Sequence, residues 1–243
     1  MATVRQRASG RWQVVVQVRQ PDGTRPIRMT ADRPRLLDLF CNAGGATKGY
    51  QRAGFHVVGV DIDPQPDYCG DEFHQADALE FELTGFDAIH ASPPCQSFTA
   101  YRRRGAGVGD GYPDLIDPTR RRLEQAGVPY VIENVAGAPL RNAIMLCGSS
   151  FGLDVRRHRY FESNVLLVAP PCDHSWQTPR FPCATNRTNL RRTVEVGVWR
   201  IPLEVQQRAM GIDWMPLANL TEAIPPAYTE HIGAQLLRSL VAA

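Results

Sequence analysis

Along residues 35–135, short apolar runs alternate with helix-like stretches, and nearly every run stops at a polar or glycine-bearing loop. Leu36-Leu37-Asp38-Leu39-Phe40 leads into Cys41-Asn42-Ala43-Gly44-Gly45. A helix-like segment over 46–53 stops at Gly54, and Val57-Val58-Gly59-Val60 ends at Asp61-Ile62-Asp63-Pro64. The run 86–91 meets Ser92-Pro93-Pro94-Cys95. A helix over 118–126 stops at Gly127, and 128–132 runs into Glu133-Asn134-Val135. Strands alternating with helices predict an α/β fold: a mostly parallel sheet with helices on both faces. Such sheets bind ligands at the carboxyl ends of their strands, and the polar loops lie at those ends.

The flanks differ. Trp12 to Val18 reads as a strand, Gln20-Pro21-Asp22-Gly23-Thr24 as a turn, and 25–29 as a returning strand, so residues 1–34 are expected to form a β-hairpin extension. Residues 35–161 form the expected main domain. Residues 162–199 carry prolines, Trp176 and Phe181 with little periodicity, and 200–243 return to helix. A length of 243 residues with 43% hydrophobic content supports a substantial core. No apolar run nears the roughly 20 residues of a membrane span, and the N-terminus lacks a secretory h-region. A soluble protein of the cell interior is expected. Its six cysteines, none in a Cys-x-x-Cys pair, are then expected to be reduced.

The net charge is only +2, and Lys48 is the sole lysine. Arginines cluster at 102–104, 120–122, 156–157, 187 and 191–192. Arginine forks match phosphates and base edges, although a charged run is usually a solvated face.

Four constellations carry chemistry. The loop after Asp38, with Gly44-Gly45 opening a helix, lets backbone approach a small ligand, although tight turns need glycine anyway. Asp61 ends the next strand, where a carboxylate can accept from ribose hydroxyls. Asp77 follows a later strand end and could accept from an adenine amino group. The loop does not match G-x-G-x-x-G, which disfavours a dinucleotide. Cys95 could be buried filler, but the Pro-Pro frame at a strand end favours a presented nucleophile. Glu133 follows an apolar strand, where burial would raise its pKa; a helix N-cap is the plainer reading. Arg157 and Arg159, taken as alternate residues of one strand, would point together toward a phosphate or base carbonyl; otherwise they mark a charged edge strand.

In their order along the chain, these stretches resemble the cytosine-C5 DNA methyltransferase family, in a small, phage-like form. DLFCNAGG is similar to its first cofactor motif, VGVDIDP to its second, SPPCQSF to its catalytic loop, ENV to its glutamate motif and RRHRYF to its paired-arginine motif. RAMGID and AIPPAYTEHIG resemble diverged forms of the last two motifs. The resemblance implies a Rossmann-like sheet that binds S-adenosylmethionine. It implies that Cys95 attacks C6 of a flipped cytosine, that Glu133 holds or protonates N3, and that Arg157 and Arg159 grip the base or a phosphate. Asp38, Phe40, Asn42, Gly44, Asp61, Ile62, Asp77, Pro94 and Leu115 would bind the cofactor, and Gln96, Ser97 and Asn134 the substrate. Double-stranded DNA is the implied partner, acted on by a monomer in the cytoplasm of a bacterial or phage-infected cell. The same reaction on tRNA, or a decayed DNA-binding module, are the alternatives. Asn42 replaces the usual first glycine and Asp61 stands where glutamate is common; asparagine tolerates a left-handed turn.

In that family the variable target-recognition segment separates the arginine motif from the penultimate motif. Here only 162–199 is available. Within it Cys172, His174 and Cys183 have the residue types of zinc ligands, with Cys147 as a further candidate; three fall short of the usual four, and no metal is the expectation. So short a segment predicts a short or low-complexity recognition sequence, or help from the N-terminal hairpin. Bisulfite sequencing of random DNA treated with the protein should show it, and a long, strict site would refute it.

Overall fold

A computed structural model describes residues 2–6, 12–18, 27–98, 113–177 and 193–242. The N-terminal strands are β1 (Ala2–Gln6), β2 (Trp12–Val18) and β3 (Ile27–Asp32), paired antiparallel in that order. A hairpin of two strands was expected. The third strand arises because Ala2–Gln6 pairs along β2 from Ala2–Val16 to Gln6–Trp12. That partner lies outside the local sequence pattern.

The main sheet has seven strands: β4 (Arg35–Leu39), β5 (His56–Asp61), β6 (Glu72–Gln75), β7 (Ala88–Ala91), β8 (Tyr130–Asn134), β9 (Ile144–Leu146) and β10 (Arg159–Ser163). Their spatial order is β6-β5-β4-β7-β8-β10-β9. Pairings from β6 through β8 are parallel, and β10 runs antiparallel to both β8 and β9. The chain proceeds from β4 to one side and later returns to β7 on the other. The carboxyl ends of β4 and β7 therefore flank a topological switch point, where such sheets open a crevice.

Helices cover both faces. Helix α1 (Gly45–Ala53) and α5 (Pro226–Ala242) bury Tyr50, Tyr228, Ile232 and Leu236 against Leu36, Val57, Ala88, Val131 and Phe161. Helix α2 (Ile116–Ala126) sets Leu123 against Leu37, Ile89 and Ile132 on the other face. It starts two residues before Pro118, because a proline in the first turn forfeits an amide that has no helical partner anyway. Helices α3 (Leu203–Met210) and α4 (Leu217–Glu222) close a third cluster around Ala43, Val155 and Met215. The sequence pattern does not announce β9 or α4, which have three and six residues and no clear period. Among the described residues, no helix is long and apolar enough to cross a membrane.

The central arginine cluster is structural. Arg120 is buried and donates from Nε and Nη2 to both oxygens of Glu162 at 2.7 and 2.8 Å, and from Nη2 to the Pro139 carbonyl at 2.8 Å. Arg122 donates to the carbonyls of Ala78 and Phe81. These guanidinia fasten α2 to the sheet, so two of the three cluster arginines are engaged inside the fold.

Helices α1 and α5 meet backbone to backbone. A Cβ at Gly49 would lie 2.1 Å from both the Pro226 carbonyl and Thr229 Oγ1. Thr229 in turn donates to the Ala46 carbonyl at 2.8 Å. Gly49→Ala should force the helices apart and lower unfolding stability by about 1–3 kcal/mol in urea titration. An unchanged midpoint would show that the contact yields without cost.

Candidate active site

At the end of β4 the backbone turns through left-handed geometry. Phe40 has φ 60° and Asn42 φ 47°, and Gly44, the N-cap of α1, has φ 86°. That region costs an ordinary residue roughly 1–2 kcal/mol, so other contacts must hold the turn. Asn42 Oδ1 accepts from the Ala43 amide and from Asn219 Nδ2, both at 2.5 Å. The Asn42 amide donates to Asp61 Oδ2 at 2.8 Å, and Trp214 Nε1 donates to the Ala43 carbonyl at 2.9 Å. The C-terminal segment thus clamps the loop from the far end of the chain. Asparagine occupies the missing-glycine position in the conformation that asparagine tolerates.

Behind the loop lies Asp38, fully buried. Its Oδ2 accepts from Thr47 Oγ1, while Oδ1 has no hydrogen-bond partner. Burial raises its pKa to about 7. An orphaned carboxyl oxygen beside a glycine loop suits a cationic or hydrogen-donating ligand. The Asp61 carboxylate accepts from Asn42 and Asp63 amides and keeps further lone pairs. Ile62 is 66% exposed, an unusual state for a large aliphatic side chain next to a strand end. Strand β6 pairs Gln75 with Asp61, so exposed Asp77 follows at the same edge of the sheet as Ile62. Half-buried Leu115 caps α2, whose Arg122 reaches the 78–81 turn.

On the other side of the switch point, β7 delivers the proline-framed thiol. The Ser92 amide donates to the Leu39 carbonyl at 3.1 Å, and Asn134 Nδ2 donates to the Pro93 carbonyl at 2.9 Å. Cys95 follows, half-buried, at the head of a single 3-10 turn, Gln96–Phe98, in which Ser97 is buried. Burial raises the Cys95 pKa; Glu133 adds to the rise and Arg159 opposes it. At rest the sulfur is a thiol.

Glu133 is buried on β8. Arg159 Nε lies 3.1 Å from its Oε1. The β10 register pairs Phe161 with Glu133. Arg159, two residues before Phe161, therefore shares its face and meets Glu133 diagonally. Desolvation raises the Glu133 pKa, opposed by Arg159, Arg157 and a hydrogen bond from Ser92. Ser92 is itself bonded to His90 Nε2 at 2.8 Å, and His90 Nδ1 to the Tyr50 hydroxyl at 2.9 Å. Burial lowers the His90 pKa to about 3, so the ring is neutral. A buried tyrosine–histidine–serine chain thus ends on Glu133.

No protein-family model matches the sequence. The chain is 29% identical over 119 residues to the type II methyltransferase M1.HphI of Haemophilus parahaemolyticus, covering 41% of this chain and 32% of the relative. It is 31% identical over 104 residues to a probable DNA (cytosine-5)-methyltransferase of Frog virus 3, covering 40% and 44%. It is 27% identical over 154 residues to the type II methyltransferase M.XorII of Xanthomonas oryzae, covering 55% and 32%. The chain therefore spans a third to under half of the length of these relatives. Among solved structures, Dnmt2 methyltransferase of S. pombe superposes with a TM-score of 0.54 at 13% identity, covering 86% of this chain and 99% of the other. Methyltransferase EhMeth of Entamoeba histolytica gives 0.53 at 12%, with the same coverage. These two likenesses concern the fold. Over part of its length the sequence is thus similar to type II and DNA (cytosine-5) methyltransferases.

Arg159 stands beside Glu133, and the charges of both act on the Cys95 thiol. Arg157 and Arg159 are not alternate residues of one strand. Strand β10 begins only at Arg159, and Arg157 precedes it at φ 38°. Its guanidinium donates to the carbonyls of Thr221 and Ala223 at 2.6 and 2.8 Å, so it anchors α4 while still acting on Glu133 through its charge. Asn134, expected at the substrate, commits its side chain to Pro93 and to the Val135 amide. It braces the loop that carries Cys95. Residues unforeseen in the sequence are His90, Ser92, Trp214, Asn219 and Tyr228, the last donating to the carbonyls of Arg156 and Arg157. A histidine inside an apolar strand was the one available signal.

His90 and Asp38 have opposite effects on stability versus pH. Unfolded histidine protonates near 6.5, whereas folded His90 waits until about 3, so its contribution is full above 6.5 and is lost as pH falls. Asp38 keeps its proton up to about 7 when folded but to 3.8 when unfolded, so its contribution is full below 3.8 and is lost as pH rises. Between 3.8 and 6.5 the two slopes oppose. In His90→Asn only the Asp38 slope remains. The variant's unfolding free energy should fall relative to wild type by up to about 1.4 kcal/mol per pH unit across that window. Parallel curves from urea melts would show that His90 titrates normally.

Proposed function

We propose that this chain transfers a methyl group from S-adenosylmethionine to C5 of cytosine in double-stranded DNA, through a bond between Cys95 Sγ and C6 of the base. The observation that carries the reading is the proline-framed Cys95 at the switch point, electrostatically coupled to a buried Glu133 held by Arg159. The curated relatives, named as type II or DNA (cytosine-5) methyltransferases, point to the same chemistry.

Cytosine resists attack at C6 until N3 is protonated or strongly hydrogen-bonded. Glu133, with its pKa raised by burial, is suited to hold a proton there. Cys95 first gives its thiol proton to solvent; as N3 gains that interaction, the sulfur then bonds to C6 and electron density moves to C5. Arg159, next to Glu133, can donate to the base carbonyl and stabilise the charge that develops. Once C5 carries the methyl group, loss of its proton to solvent lets the electron pair return and expel Cys95 as thiolate. C5 and C6 are inaccessible inside a duplex, so the base must leave the stack. The cofactor would be held by Asp38, Phe40, Asn42, Gly44, Asp61, Ile62, Asp77, Pro94 and Leu115. The orphaned Asp38 oxygen and the exposed Ile62 both fit such a ligand. Bound there, S-adenosylmethionine would supply the electrophilic methyl group. Action in the cytoplasm of a bacterial or phage-infected cell fits the bacterial and viral sources of the relatives.

Labelled cofactor incubated with duplex DNA and with tRNA tests the substrate. Label in DNA is expected, and label in tRNA alone would overturn the DNA assignment. Cys95→Ser should lose more than about 10³-fold in turnover, and Glu133→Gln about 10²–10⁴-fold. Duplexes carrying 5-fluorocytosine, which has no C5 proton to lose, should trap wild-type protein covalently. A Cys95→Ala variant that still transfers methyl groups would refute the mechanism.

A further inference from the structure

Away from the cysteine–glutamate site, four soft ligands converge. Cys147, His158, Cys172 and His174 place one ligand atom each within 4.8 Å of all the others. The individual separations are 3.2 Å from Cys147 Sγ to His174 Nε2, 3.2 Å from Cys172 Sγ to His174 Nε2 and 3.5 Å from Cys172 Sγ to His158 Nε2. A tetrahedral zinc ion with bonds of about 2.0–2.3 Å requires ligand-to-ligand edges of roughly 3.3–3.8 Å. The observed spacing is that of a closing tetrahedron. The two imidazoles stack with centroids 5.2 Å apart and planes 16° apart, presenting Nε2 to the same point. Ser149 Oγ donates to Cys147 Sγ at 3.1 Å and lies 4.0 Å from Cys172 Sγ, as the outer shell of a thiolate pair should.

We propose that these four side chains bind one structural zinc ion. Two thiolates balance the charge of a divalent ion, and two neutral imidazoles complete four ligands with no open position, the pattern of structural rather than catalytic zinc. The ligand set differs from the one suggested by local spacing. Cys172 and His174 belong to it. Cys183 lies outside the described residues, and Cys147 and His158 supply the other two places.

The positions explain what the ion holds. Cys147 follows β9, and His158 lies between Arg157 and Arg159 at the entry to β10. Cys172 and His174 belong to the irregular segment that leaves the sheet after β10. One ion therefore ties that segment to the loop carrying the two arginines. It does in 28 residues, from Cys147 to His174, what a larger apolar core would otherwise have to do.

Metal content tests this independently of methyl transfer. Full-length protein from zinc-supplemented medium, after gel filtration, should carry about one zinc per chain. Cobalt(II) should replace zinc with the visible bands of a tetrahedral thiolate site. Cys172→Ser changes an exposed residue and should weaken zinc binding by more than about 10-fold, whereas Cys183→Ser should retain the ion. Removal of zinc with a chelator should lower the melting temperature by at least about 5 °C. Zinc below about 0.1 per chain, octahedral cobalt spectra, or equal loss of zinc in Cys183→Ser would overturn the site. Zinc bound without any change in melting temperature would overturn its structural role.

Discussion

The pairing of β10 with β8 sets the chemistry of this molecule. Because Phe161 lies opposite Glu133, alternate residues of β10 go to opposite faces. Arg159 reaches Glu133 on one face, while Glu162 meets Arg120 of α2 on the other. A slip of one residue would exchange these faces. It would leave two buried carboxylates without their guanidinia, which is costly in a low-dielectric interior. The register is therefore fixed from both sides of the sheet.

The same face gathers a polar line across three strands. Asp38 of β4 pairs in register with His90 of β7, and His90 with Val131 of β8, two residues before Glu133. All three titratable groups are buried, and each departs from its ordinary ionisation. Strands of a parallel sheet normally bury apolar residues on both faces. Here the polar line lies beside the switch point, where neutral His90 and Ser92 can orient Glu133. The clamp from α4 and the 214–224 segment acts on the neighbouring loop through Asn219 and Trp214. The Cys95 loop is held by the adjacent strands through Leu39 and Asn134.

Strands β4, β5, β7 and β8 could be read from the chain because they are apolar runs ended by polar or proline-bearing loops; β6 and β9, short and without such a run, could not. Element boundaries shifted where a tertiary contact outweighed the local pattern. Helix α2 takes in Ile116 and Asp117 ahead of its proline, and β10 starts after Arg157 because Tyr228 and the 221–223 carbonyls hold that residue out of the sheet. Cys95 and Glu133 stood out because their residue types are unusual at strand ends. Arg157 and Asn134, expected at the ligands, also bond the protein's own backbone. Sequence spacing cannot show which carbonyls will lack a donor.

The sequence by itself determined the α/β alternation, the switch-point loops and the order of the motifs, since each rests on local periodicity and turn chemistry. Tertiary structure decided the rest. It chose which arginine faces Glu133, made a buried relay of Tyr50, His90 and Ser92, and brought Cys147 and His158 to Cys172 and His174. Directly bonded partners stand 40 residues apart in the relay and 27 in the thiol–imidazole cluster. Side chains so separated meet only when β-strand register and helix packing bring their elements together, and no local propensity encodes that distance.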